Sequence, residues 1–227
     1  MPPNAGVFAG IREYILLSLK ELPLIASVAP LFLGVAEGNI NLLVFGLGVL
    51  FLAPIAAGIV GLILSFLLRW VDPTGTYWKA TDSDILSLVP GIPGMGGRDK
   101  VAVVPTYWMT MTVFFFSYLA LNAYSLYVQE PEKNADPEKV DNRKYQAIMS
   151  LILIHIIALL VFGLRITQSG GETVLGVIVA LGTGITTSYF WFKYLSFCGL
   201  GRLEDVFGIR ARILPESATA DTPVVCV

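Results

Sequence analysis

Of the chain's 227 residues, 55% are apolar and only 14% are charged, where a soluble domain carries about 25% charged. A net charge of −2 at neutral pH leaves no broad basic surface, so nucleic acid is not an expected partner. The length suits one compact helical bundle and excludes an additional soluble domain of ordinary size.

Charge is missing from four stretches, 38–68, 101–129, 145–164 and 173–192. Each reaches the about 20 residues that an apolar helix needs to cross a hydrocarbon core. The expected fold is all-α: a polytopic integral membrane helical bundle over 22–198, with the lipid bilayer as its first partner.

Residues 1–21 come first. Phe8, Ile11, Ile15, Leu19 and Leu22 recur at helical spacing among Arg12, Glu13, Lys20 and Glu21. That pattern fits an amphipathic segment lying in the interface, or an extension of the first membrane helix. Between Leu22 and Leu68 the only charge is Glu37. One straight helix of that length would measure about 70 Å, so the chain must fold back. Glu37, Gly38 and Asn39 supply the turn. The first limb, 22–36, is short and holds Pro23 and Pro30; it spans with help from its flanks or is re-entrant. The second limb, 40–68, is overlong, and Pro54 predicts a kink or strong tilt.

Arg69 and Trp70 mark an exit from the bilayer. A loop rich in Gly and Pro follows, densest over 90–97. Span 105–128 opens on Pro105, Thr106, Tyr107 and Trp108, where proline fits a first helical turn and the aromatics suit the headgroup level. Residues 130–144 carry nine charges and read as a solvated loop. Spans 145–164 and 173–194 close the bundle, the fourth ending at Arg165 and a turn at Gln168–Gly171 leading into the fifth. Counting five spans, Lys and Arg divide 7 against 8 between the two sides. With a re-entrant first limb the division is 10 against 5, which the positive-inside rule prefers. Span length prefers five, and five is the reading adopted.

In the last span Gly176, Ala180, Gly184 and Ser188 stand at intervals of four and make a small-residue stripe for close helix packing, within the chain or between copies in a homo-oligomer. Ionisable residues within spans mark function when present, and here the inventory is His155. It reads as a polar contact inside the bundle, most simply a neutral imidazole bonded to a neighbouring helix. Asn122 reads in the same way, as an interhelical hydrogen bond. No enzyme is expected. A metalloprotease H-E-x-x-H and a P-loop are both missing, and a lone histidine supports neither a histidine phosphatase nor a convincing intramembrane protease. Cys198 and Cys226, the only cysteines, form no zinc pattern and read as free thiols or one disulfide. Neither cofactor nor metal is expected.

Three blocks read together: the stretch 105–127, PTYWMTMTVFFFSYLALNAYSLY; the turn at Gly38 and Asn39; and CGLGRLEDVFGI over 198–209, before the closing Pro223, Val224, Val225, Cys226 and Val227. The arrangement resembles multi-span membrane proteins of large double-stranded DNA viruses of algae and protists. The resemblance covers the chain from about Leu22 onward and brings no catalytic residues. It implies a structural protein of a virion inner membrane beneath an icosahedral capsid, with membrane or capsid proteins as partners.

The tail, 199–227, mixes charged and apolar residues. Leu203, Val206, Phe207 and Arg210 could form one face of a short helix, presented to a partner or packed back on the protein itself. The expected function is structural or assembly work through loops and tail. The alternatives are a small channel or carrier and, more remotely, an enzyme acting on lipid.

Overall fold

The computed structural model of the protein describes residues 10, 14–15, 18–19, 21–71, 105–129, 137–169, 174–197 and 206. Within them the chain is helical: α1 (Leu22–Glu37), α2 (Ile40–Leu47), a π-helical turn (Gly48–Leu52), α3 (Ala53–Val71), α4 (Tyr107–Val128), α5 (Pro137–Ser169) and α6 (Val174–Phe197). Four segments are long and apolar enough to cross a membrane: Ile40–Leu64, Tyr107–Val128, Val140–Thr167 and Val174–Phe197. α1 is apolar but, with 16 residues, is about 24 Å long and falls short of a hydrocarbon core. By length there are four full spans, with the short apolar α1 beside them as the limb that either spans with help from its flanks or is re-entrant.

The first hairpin turns where the sequence places it. Gly38 has φ 64°, a left-handed conformation that glycine adopts without a Cβ penalty. Its N–H reaches the Val35 carbonyl at 3.3 Å, and the Asn39 N–H reaches that of Gly34 at 2.8 Å. These paired bonds are a Schellman cap. Asn39 then starts α2, its Oδ1 accepting from the N–H groups of Asn41 and Leu42 at 3.0 and 3.4 Å.

α2, the π turn and α3 run on without a break. The helical ladder widens just ahead of Pro54, with the Ala53 N–H bonding back to the Gly48 carbonyl. Proline lacks a donor and its ring crowds the carbonyl four residues earlier, so a local change of winding is the expected response.

α5 corrects the sequence reading at its start. Residues 137–144 are helical rather than loop. Pro137 suits a first helical position and Glu138 complements the positive end of the helix dipole. Charge bars these turns from lipid, not from helix. At the other end the helix continues past Arg165 to Ser169.

Helix α4 is the axis of the bundle. It packs against α1, the π turn, α3, α5 and α6, and twelve of its 22 residues are buried. Directions alternate along the chain. Leu19 lies beside Trp108 at the start of α4, while Gly58 of α3 approaches Tyr107. Arg143 meets Gln129 at the far end, and Arg165 returns to Trp108. α6 then runs parallel to α4, with Gly184 against Val113 and Phe192 against Tyr118. The larger core cluster, built on Phe45, Val49, Phe114, Tyr118 and Phe192, lies toward the hairpin-turn end. A smaller one, around Trp108 and Met109, lies at the other.

Candidate functional site

The buried polar residues gather on and around α4. At its start, Thr106 is extended, and its hydroxyl accepts from the Met109 N–H at 3.3 Å. Thr110 donates to the Thr106 carbonyl at 3.0 Å and Thr112 to the Trp108 carbonyl at 2.8 Å. Hydroxyls bonded in this way to their own helix can be buried without a second helix. Ser27 of α1 and Ser188 of α6, both fully buried, use the same device, donating to the Leu24 and Ile185 carbonyls at 2.9 Å.

Trp108 joins three elements at this level. Its indole N–H donates to the Leu19 carbonyl at 2.9 Å, tying the segment ahead of α1 to the start of α4. On the other side the Arg165 guanidinium carbon stands 4.8 Å from the Trp108 ring centroid. Arg165 is 2% exposed. A cation on the face of an indole is attracted by the ring quadrupole, most strongly where water is excluded. The result is a shielded positive charge at one end of the bundle. Sequence reasoning treated Arg165 as a marker of exit from the bilayer. The signal it passed over is local: Ile166 and Thr167 continue the helix beyond Arg165, so the arginine is not terminal.

The stripe Gly176, Ala180, Gly184 and Ser188 is buried along α6. A Cβ at Gly184 would stand 2.6 Å from Val113 Cγ1 and 3.0 Å from the Thr110 carbonyl oxygen. At Gly184 the close partner is α4 of the same chain. Similar approaches occur at Gly34 against Leu43, Gly46 against Leu31 and Gly48 against the Trp191 indole, each at 2.7–2.8 Å. Asn122 is fully buried on α4, and its carbonyl accepts from the Ser125 hydroxyl at 2.8 Å.

One sequence expectation is corrected. His155 does not point into the bundle. It is exposed on α5, with Nδ1 2.7 Å from the Leu151 carbonyl oxygen of its own helix. The helical phase that buries Ala147 and Arg165 turns residue 155 outward. Of the two alternatives for the tail, Val206 takes the one packed back on the protein. It is 3% exposed and belongs to the core cluster with Phe45, Phe192 and Leu195. An apolar side chain beside the open end of α6 gains more from that contact than from water. Leu203, Phe207, Arg210, Cys198, Cys226 and the loop 90–97 lie outside the described residues.

Among the described residues no group of three or more His, Cys, Asp or Glu could hold a metal ion. What the arrangement can do chemically is hold: it fixes helices against one another through close glycine contacts and a cation on an aromatic face. No protein-family model, no curated protein and no solved structure matches the chain.

Proposed function

We propose that the protein is a structural and assembly component of a membrane, acting through its loops and tail. The resemblance carried by 105–127, the hairpin turn and 198–209 points more narrowly to the internal membrane of a virion beneath an icosahedral capsid. What supports a structural role is the closeness of the helices. At Gly34, Gly46, Gly48 and Gly184 a single added carbon would stand 2.6–2.8 Å from a neighbour. Interiors packed to that degree resist deformation and offer little room to a cargo.

The test is quantitative mass spectrometry of purified particles, combined with removal of residues 210–227. That truncation keeps Val206 in the core. It should leave membrane insertion intact and abolish co-purification with a partner layer. A fixed, high ratio to capsid proteins is expected in particles; absence from particles would overturn the virion reading, and unchanged co-purification the role of the tail.

One observation favours a carrier as the second reading. The π turn at Gly48–Leu52 lies against Trp191 of α6, and π turns are frequent at functional sites within helices. Flux through reconstituted protein that falls on Trp191→Ala would put that reading first.

A further inference from the structure

Helix α5 stands apart from the rest of the bundle. Only 6% of its span window is buried, against 44% for α4, and α4 is the helix it packs on. Exposed apolar side chains need no protein partner in lipid, because hydrocarbon solvates them as well as another helix would. His155 is different.

Its depth follows from two anchors. Arg143 Nη2 donates to the Gln129 carbonyl at 2.6 Å at one end of α4, and Arg165 stacks on Trp108 at the other. At 1.5 Å per residue His155 lies about 18 Å from the first level and about 15 Å from the second, close to the middle of the bilayer. A carbonyl oxygen only accepts, so Nδ1 carries the proton that bonds Leu151. Nε2 is then the acceptor. Lipid chains offer it no donor, and polar groups at this depth normally face protein.

We propose that the outer face of α5 around His155 is an interface between two copies of this chain in the bilayer. A second copy in the same orientation brings a second imidazole to this level, since a two-fold axis along the membrane normal puts its His155 at the same depth. One imidazole keeps its bond to Leu151 and accepts at Nε2. The other releases Leu151, carries its proton on Nε2 and donates, so the pair holds one unbonded ring nitrogen where two separate chains hold two. Ile152 and Leu159 flank the histidine on the exposed face. Gly163, two turns on, is open, with no atom within 4 Å of the place where a Cβ would stand. That notch lets a neighbouring backbone come close.

The experiment uses the full chain with Cys198→Ser and Cys226→Ser, reconstituted at low protein density in phosphatidylcholine vesicles. Oxidation of an Ile152→Cys variant, which keeps His155, should give disulfide-linked dimers at least tenfold more than Ile185→Cys, which is equally exposed on α6. In the same vesicles, energy transfer between labelled chains should fall severalfold for His155→Leu. It should be kept by His155→Gln, whose amide both donates and accepts. His155→Leu is an apolar exchange on a lipid-facing surface, and helix content by circular dichroism verifies its fold. Equal cross-linking at 152 and 185, or energy transfer unchanged in His155→Leu, would overturn the proposal. So would an Ile152→Cys variant that cross-links in native membranes only to a different protein.

Discussion

Arg165 and His155 show how position within one helix divides the roles of two ionisable residues. Both belong to α5, yet one is sealed against Trp108 and the other faces outward. Hydropathy reports how far along a span a residue lies, whereas its facing depends on the helix that arrives beside it. That is why the sequence located both residues and misjudged the surroundings of each. The Arg165 contact has a measurable consequence. Arg165→Met retains a long apolar side chain and removes the cation from the Trp108 face. The expected loss of stability is about 2 kcal/mol, the magnitude of a cation–π contact away from water. Tryptophan emission should change with it, and identical emission and unfolding curves would argue against the contact.

At the scale of the element, the helices follow from composition and the pattern of charge. Their ends and irregularities are less legible. The Gly38–Asn39 turn was readable because glycine and asparagine are suited to a left-handed cap and a helix start. The π turn was not, since Pro54 announces a disturbance without specifying its form. The first turns of α5 were missed because a run of charges describes exposure rather than backbone conformation. Among the small residues of α6, burial separates structural positions from indifferent ones. Gly184→Ala forces its new carbon against Val113 and the Thr110 carbonyl. A loss of about 1–3 kcal/mol is expected for such overpacking. Gly182→Ala meets nothing within 4 Å and should be neutral or stabilising by up to about 1 kcal/mol, as alanine favours helix over glycine. Thermal unfolding of the two variants in one detergent makes the comparison, and equal effects would dissociate the stripe from packing.

Across the whole molecule, the alternating helix directions put the hairpin turn and the start of α5 at one end, with Glu21 at the other. Lys and Arg counts of 7 and 8 for a five-pass arrangement leave the orientation undecided by charge. Single cysteines in a background without Cys198 and Cys226 can report it. In sealed vesicles, Glu37→Cys and Glu138→Cys should react together with a membrane-impermeant thiol reagent, and Glu21→Cys from the opposite side. Reaction of Glu21→Cys on the same side as Glu37→Cys would make α1 re-entrant and restore the four-pass topology. The place of Val206 adds a constraint in time. Val206 belongs to a core cluster drawn from α2, the π turn, α3, α4 and α6, so one buried member of that core is translated only after every membrane helix. Until the ribosome has passed residue 206 that core cluster lacks one of its buried members.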